Sequence, residues 1–409
     1  MHRTITLFAV FMIGALLPQA ADAQSGDGGL QEQFEAVIDG LNDNSFRRFQ
    51  EAVDDDAFVN RVLGTRVIDA DAGRAFAQSF PQTLESMFQA AFPSPRTEEE
   101  AAGEIIGTLV FFAEEGSRAR AIVRFEGKGF RYSWHAYDLV RGRGGRVQIV
   151  DWFDYYQAGW FSEIAGDSLV RTMPAAASVR SVLEMPRPTE GQLFQVGELF
   201  KAARDGNPRR FIQIHDGLED ALRQEPAVVK LNFQYWRMLG DPGRLRAAAE
   251  ELASTFPGDA QQSLSLAEFY VRARRFDDAI GQFELLESAL GVEDGAIGSL
   301  KATAAMALGE FERAQAFALA ATQAEPGLEL AWWALLRTRT AAEDYAGATE
   351  ALTELEDRFG HLLIPQQLRR DPFLRVLIDQ QEYKDWRAAR DAAWAAVAGR
   401  RAEFRGQLP

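Results

Sequence analysis

Residues 302–326 read ATAAMALGEFERAQAFALAATQAEP, and this stretch indicates the fold of the C-terminal half. Alanines recur every three or four positions on either side of Gly309, which places them on one face of each of two helices. Small residues let paired helices approach closely, and Pro326 cannot continue the second helix. The stretch therefore predicts a helical hairpin that turns at Gly309–Phe311.

The same pattern recurs at a nearly constant interval. An aromatic residue followed three positions later by alanine appears at steps of 35 and 34 residues. The pairs are Phe276 and Ala279, Phe311 and Ala314, and Tyr345 and Ala348. A period near 34 is typical of a solenoid of helical hairpins, although a non-repetitive helical bundle is the alternative. Two looser units precede these three, with apparent insertions at 205–207 and 241–243.

These residues resemble the tetratricopeptide repeat, which has a large-small pair, two aromatics, a close-packing alanine and a terminal proline at these places. The resemblance implies an all-α superhelix of about five repeats over residues 191–365, followed by capping helices over 366–409. It also implies an inner groove that binds peptides. The groove positions carried over are Glu268, Arg272, Ser299, Thr303, Trp333 and Arg337. They differ from the basic and asparagine set that grips a terminal carboxylate, and they favour a peptide of mixed apolar and acidic character.

The N-terminal half changes period. Residues 30–92 repeat apolar side chains every three or four positions, as helices do, with a break expected at Pro81. Alternating segments then predict four strands, at 105–114, 117–126, 130–141 and 146–156. Helices followed by an antiparallel meander predict an α+β domain over 24–172, with the helices on one sheet face. The element order resembles the NTF2-like and cystatin-like cones, whose pocket binds a ligand, hosts catalysis or is filled.

Composition excludes several functions. The 409 residues carry 44 Lys and Arg against 60 Asp and Glu, a formal charge of −16, so we expect no nucleic-acid partner. The chain has no cysteine and four histidines, which excludes disulfides and thiolate metal sites. We expect no cofactor and no metal centre. The sequence leaves the oligomeric state open.

The first residues have the pattern of an export signal. Arg3 precedes an apolar run from Ile5 to Leu17, and Ala21–Ala23 forms a small-x-small cleavage site. The run is shorter than the roughly 20 residues of a membrane span. We expect cleavage after Ala23, no transmembrane segment in the mature chain, and a periplasmic or secreted location; an uncleaved anchor is the alternative.

Residues 173–190, rich in Pro, Ala and Ser, predict a linker.

The last predicted hairpin holds the candidate catalytic residues. If Arg141 pairs with Arg146, Asp138 opposes Ile149, and Asp138 and Asp151 share an otherwise apolar face. Two close carboxylates there would raise one pKa and suit acid–base chemistry. Alternatively, they lie at the sheet rim and pair with arginines on the strand of residues 117–126 or with backbone. His135 opposes Trp152 in this register, diagonal to Asp154, as a second candidate pair or a surface hydrogen bond.

No nucleophile elbow, zinc-binding helix, P-loop or dinucleotide fingerprint is present in the sequence. The repeat pattern without such motifs predicts a non-enzymatic, exported scaffold or adaptor that binds a protein or peptide in the bacterial cell envelope. The alternative is a small-ligand-binding or enzymatic N-terminal domain that uses the acidic pocket, with the repeats as a docking module.

Overall fold

The structure is a computed structural model that describes residues 29–90, 92, 105–127, 131–172 and 176–406, with side chains as far as residue 395. The predicted signal peptide, residues 1–23, lies outside the described residues. Within them, helices and an antiparallel sheet are followed by paired helices, as the sequence predicts.

Four helices begin the described chain and a fifth follows the sheet. They are α1 Leu30–Asn42, α2 Phe46–Ala52, α3 Asp55–Thr65, α4 Ala70–Ala90 and α5 Phe161–Thr172. The strands are β1 Ile106–Glu115, β2 Arg118–Gly127, β3 Arg131–Arg141, β4 Val147–Asp154 and the short β5 Gly159–Trp160. They pair in chain order as an antiparallel meander. We call residues 29–172 the sheet domain.

One face of the sheet packs on these helices. The shared core includes Phe34, Phe49, Phe58, Tyr137 and Trp152, all essentially inaccessible to solvent. The rings are in direct contact, with the Phe58 centroid 4.7 Å from Phe80 and the Trp152 centroid 4.1 Å from Phe161. Aromatic side chains therefore fill the space between the helices and the sheet.

The break predicted at Pro81 is wrong. Helix α4 runs through this residue without interruption. Proline costs a helix roughly 3 kcal/mol through its missing N–H and the steric clash of its ring. Phe76, Phe80, Leu84 and Phe88 are buried on both sides of it, so packing holds the helix together across the proline.

The C-terminal half contains five helical hairpins, which we call the solenoid. Their helix pairs are α7 Glu190–Arg204 with α8 Pro208–Asp216, α10 Pro226–Leu239 with α11 Pro242–Thr255, α12 Ser263–Arg272 with α13 Phe276–Leu290, α14 Gly295–Leu308 with α15 Phe311–Ala324, and α16 Glu329–Ala341 with α17 Tyr345–Phe359. The short α9 Asp220–Arg223 joins the first two hairpins.

Every hairpin turns on one residue with a positive φ. These residues are Gly206, Gly240, Arg274, Gly309 and Glu343, at steps of 34, 34, 35 and 34 residues. In each case the second helix begins two residues later. The repeat is therefore tetratricopeptide-like in all five units. The insertions expected at 205–207 and 241–243 are wrong, because these residues are the regular hairpin turns.

The segments around the solenoid are also ordered. The predicted linker, 173–190, contains helix α6 Ala176–Val182, whose Val179 is buried. At the C-terminal end, α18 Pro365–Leu368, a 3-10 turn and the long α19 Gln381–Gly406 follow the last hairpin. Leu374, Leu377 and Tyr383 are buried in one cluster with residues of both helices of that hairpin, among them Leu336 of α16 and Leu352 of α17. None of the helices within the described ranges combines the length and apolar character needed to cross a bilayer.

The turn geometry predicts opposite effects at equivalent positions. Gly309 has a φ of 79° with open space around it, so Gly309→Ala should destabilise the protein by about 1 kcal/mol through backbone strain alone. Glu343 has a φ of 60°, so Glu343→Gly should stabilise it by up to about 1 kcal/mol. Urea denaturation followed by circular dichroism measures both.

Gly281→Ala is the matched control. Gly281 lies inside helix α13, also with open space, and alanine there should stabilise by about 0.5–1 kcal/mol. The same sign for Gly281→Ala and Gly309→Ala would contradict the assignment of the left-handed turn.

Candidate functional site

The second face of the sheet lies against the solenoid. Ile122, Trp134, Ala136 and Phe153 belong to one buried apolar cluster that continues into the first helices of the hairpins. The solenoid contributes residues of four successive first helices to this cluster, among them Leu231, Leu264, Ile297 and Leu330. Part of the inner side predicted to bind a partner is thus covered by the protein's own sheet.

A buried ion pair fixes this contact. Arg124 on β2 is 3% exposed. Its Nη1 lies 3.0 Å from Asp294 Oδ2 and 2.6 Å from Glu325 Oε2. The Trp134 indole N–H also donates to Asp294 Oδ2, at 3.1 Å. Two residues of the sheet therefore converge on one carboxylate of the solenoid.

The same carboxylates start helix α14. Asp294 Oδ1 accepts hydrogen bonds from the backbone N–H groups of Ala296 and Ile297, at 2.9 and 3.0 Å, and Glu325 accepts from that of Gly295, at 2.7 Å. A helix N-terminus stabilises negative charge. Burial alone would lower the pKa of Arg124, but the charges of Asp294 and Glu325 outweigh it and raise the pKa.

Further hydrogen bonds follow the contact toward the first hairpins. The backbone carbonyl of Tyr156 accepts from Arg237 Nη1 at 3.1 Å and from Ser265 Oγ at 2.9 Å. Arg120 on β2 donates to the carbonyl of Ala289 at 3.2 Å. Together with the Arg124 ion pair, these hydrogen bonds connect the sheet domain to the second, third and fourth hairpins and hold it in one orientation.

The first predicted groove residues differ in accessibility. Arg272 is exposed, and its guanidinium lies 3.9 Å from the half-buried Glu268. Ser299 is buried and donates to the Gly295 carbonyl within its own helix, at 2.7 Å. Thr303, one turn further, is exposed. Arg272 and Thr303 can therefore reach a partner, whereas Ser299 cannot.

Trp333 and Arg337 lie at the C-terminal end of the solenoid. The guanidinium of Arg337 lies over the Trp333 ring, 5.7 Å from its centroid, and pairs with Asp371 at 2.7 Å. The Trp333 indole N–H donates to Glu329 at 2.9 Å. Both side chains keep part of their surface open, so this pair offers a flat ring beside a cation.

The hairpin register differs from the predicted one. Asp138 lies opposite Asp151, and Leu139 opposite Ile149, with a bulge between Asp138 and Leu139. The bulge changes which side chains share a face, because one extra residue on β4 reverses its alternation. Val147 and Ile149 consequently belong to the core under the N-terminal helices, with Leu139.

Arg61, which the sequence analysis did not identify as a site residue, bridges Asp138 and Asp151. Arg61 on α3 lies 2.8 Å from Asp138 and 3.5 Å from Asp151, and Arg118 is 3.2 Å from Asp138. Asp151 is 1% exposed and accepts hydrogen bonds from the hydroxyl and backbone N–H of Ser162, at 2.6 and 3.2 Å. Burial raises the pKa of Asp151, although the Ser162 hydrogen bonds and Arg61 oppose it. Two guanidinium groups thus lie beside the two carboxylates.

His135 and Asp154 are directly opposite on β3 and β4, and neither is accessible to solvent. His135 Nε2 lies 3.8 Å from Asp154 Oδ2. Burial lowers the pKa of His135 to about 3 and raises that of Asp154 to about 7. Asp154 accepts from the backbone N–H groups of Tyr156 and Gln157. The surface interpretation of this pair is wrong, since both side chains lie inside the sheet domain.

The sequence contained partial signals for the residues it missed. Arg124 alternates with apolar neighbours, which suggests a solvated face, and only the position of the solenoid shows that the face is buried. Asp294 directly precedes Gly295 at a helix start, the usual place for a capping carboxylate. Arg61 carries no local signal.

No group of three or more His, Asp or Glu side chains in the described part of the chain is arranged to hold a metal ion.

No protein-family model and no curated protein matches this sequence. Among solved structures, MamA from Desulfovibrio magneticus RS-1 is 14% identical and aligns over 43% of this chain and 99% of its own, with a TM-score of 0.33. PilW, titled a widely conserved type IV pilus biogenesis factor, is 16% identical over 51% of this chain and 96% of its own, with a TM-score of 0.32. TM-scores this low do not establish a common fold. The tetratricopeptide-like assignment depends on the five equivalent turns.

The buried ion pair predicts a large cost for removing Arg124. Arg124→Met should leave Asp294 and Glu325 uncompensated and destabilise the protein by about 3–5 kcal/mol, as measured by urea denaturation. Arg47→Ala is the control. It removes an exposed pair with Glu51, which solvent screens, and should leave the free energy of unfolding nearly unchanged. Equal effects of the two substitutions would refute the role given to Arg124.

The raised pKa of Asp154 predicts a pH dependence. Between about pH 4 and 7 the unfolded chain releases a proton that the folded chain keeps, so this carboxyl group lowers stability as pH rises. Asp154→Asn removes the effect. The stability of the variant relative to the parent should therefore rise across this window, by at most about 1.4 kcal/mol per pH unit.

Urea denaturation of both proteins at pH 4, 5, 6 and 7 measures this difference. His135 is present in both, so its own titration largely cancels. Asp220→Asn, at a side chain that is 88% exposed, controls for the loss of a carboxylate. A stability difference that stays constant from pH 4 to 7 would show that burial does not raise the pKa of Asp154.

Proposed function

We propose that this protein is an exported scaffold whose solenoid binds a protein or peptide partner in the bacterial cell envelope. The observation that carries the proposal is the set of five equivalent helical hairpins, each turning on a left-handed residue at a step of 34 or 35 residues. Stacked hairpins create an extended inner surface suited to binding other chains.

The sheet domain covers part of that surface, which directs the partner to the remainder. Arg272, Thr303, Trp333 and Arg337 keep accessible surface on the first helices of the last three hairpins. A cation beside an indole ring would stack on an aromatic side chain or pair with a carboxylate. This part of the solenoid accordingly suits a peptide of mixed apolar and acidic character.

Export is supported by the apolar run Ile5–Leu17 and the small residues that follow it. The proposal places the mature N-terminus at Gln24. For the sheet domain we propose an NTF2-like or cystatin-like origin, supported by helices packed against one face of a meander. In this proposal the domain has a structural role, because rings fill its interior and Arg61 neutralises the aspartates.

The inner surface yields a test with a matched control. Thr303→Arg with Arg337→Ser should reduce capture of the partner at least tenfold, because the two changes add a bulky charge and remove the stacked cation. Ala316→Arg places the same charge on an exposed position of the second helix α15 and should leave capture unchanged. Quantitative mass spectrometry of proteins captured from envelope extracts by the full chain measures the effect, and thermal melting verifies folding.

Two results would count against this function. The first is a double variant that remains folded and captures the same proteins in the same amounts as the parent. The second is cell fractionation that finds the chain in the cytoplasm with residues 1–23 still attached.

A further inference from the structure

A cleft of about 710 Å³ opens between the sheet domain and the first hairpins of the solenoid. Four arginines line it, Arg171 on α5, Arg204 on α7, Arg237 on α10 and Arg272 on α12, and no Asp or Glu is among its described lining residues. In a chain with a net charge of −16, a cavity whose described lining carries four cations and no carboxylate is a local reversal of sign. Such a cleft concentrates anions.

Arg171 lines the cleft as a half-buried side chain. Among the residues that the structure describes, none is within hydrogen-bond or ion-pair distance of its guanidinium. Asp167 is the nearest opposing charge, but it is already paired with Arg66 at 2.6 Å. Burial lowers the pKa of Arg171, with Asp167 opposing it. A half-buried guanidinium that no described side chain pairs is free to take an anion as its hydrogen-bond partner.

Arg237 is held in place by neutral groups, whereas Arg272 has a carboxylate beside it. Arg237 donates to the carbonyl of Tyr156 and lies over its ring, 4.3 Å from the centroid, so its position is fixed while its charge is not cancelled. Arg272 is exposed, with Glu268 3.9 Å away as its ion-pair partner.

Arg204 has a closer carboxylate than the other three arginines. It pairs with Asp205 at 2.9 Å and also reaches the carbonyls of Arg171 and Thr172. The carboxyl group of Asp154 lies nearby but is buried beneath the Tyr156–Gln157 backbone, which hydrogen-bonds to it. The cleft therefore keeps an excess of positive charge.

We propose that this cleft binds an anion with two or more carboxylate or phosphate groups. The guanidinium fork matches the geometry of both groups, and several arginines around one cavity can hold more than one acidic group. The volume lies in the range of about 300–1,000 Å³ that is usual for small-ligand sites at domain interfaces. Phe92 and Tyr156 supply an aromatic wall for an apolar part of the ligand. The site shares Arg272 with the surface proposed for the protein partner, but its lining does not include Thr303, Trp333 or Arg337.

Isothermal titration calorimetry of the full chain tests the proposal with citrate, inorganic pyrophosphate and a tetraglutamate peptide, at constant ionic strength in chloride. Saturable binding of one equivalent is expected for at least one probe, with affinity falling as salt rises. Preference for tetraglutamate would identify an acidic peptide as the source of the anion, whereas preference for citrate or pyrophosphate would identify a free small molecule. Absence of binding to all three at 10 mM overturns the proposal.

Variants locate the site. Arg171→Met and, at the exposed rim, Arg272→Gln should each weaken binding about tenfold or more, because each removes a charge-assisted hydrogen bond. Arg272→Gln remains informative if Arg171→Met fails to fold. Arg246→Gln, at a side chain that is 70% exposed on α11, is the control and should bind as the parent does. Unchanged binding by a folded Arg272→Gln together with Arg204→Gln would overturn the assignment of this cleft.

Discussion

The contact between Arg124 and the carboxylates of Asp294 and Glu325 holds together the two halves of the molecule. These carboxylates also supply the acceptors at the start of helix α14, so the docking of the sheet and the beginning of a solenoid helix are one interaction. A buried ion pair is weak evidence for stability in itself, since desolvation offsets much of its attraction. Its effect here is to select one position of the sheet against the hairpins. If the sheet slid, Arg124, Asp294 and Glu325 would be separated while still buried, and each would be left without its partner.

The contact explains the burial of the strands. A sheet with one solvated face buries every second side chain, whereas one covered on both faces buries nearly all of them. In β4, Gln148 is the only residue that is not buried. The N-terminal helices cover one face of the sheet and the solenoid covers the other. The sheet is thus the middle layer of the protein.

Local patterns predicted the elements well. The four long strands begin and end within about two residues of the predicted bounds, and the interval between Phe276, Phe311 and Tyr345 anticipated the hairpin turns. The bulge beside Asp138 was not predictable, because one unpaired residue leaves no compositional mark yet changes every partner beyond it. The partners of Arg124 lie 170 and 201 residues away, where periodicity has no reach. The candidate site was predicted only in part for this reason: the groove residues were named, but Arg124 and Asp294 were missed, and so was the sheet that covers part of the groove.

The separation of these partners along the chain has a consequence for biosynthesis. In most repeat arrays each unit contacts its immediate neighbours and folds as it is made. Here the sheet face that carries Trp134 leaves the ribosome well before Asp294 and Glu325 exist. At about 5–20 residues per second, the delay is about 10 to 40 s. During that interval the nascent chain exposes an apolar sheet face that the solenoid covers in the folded protein. Such a face is a binding site for chaperones that hold unfolded chains.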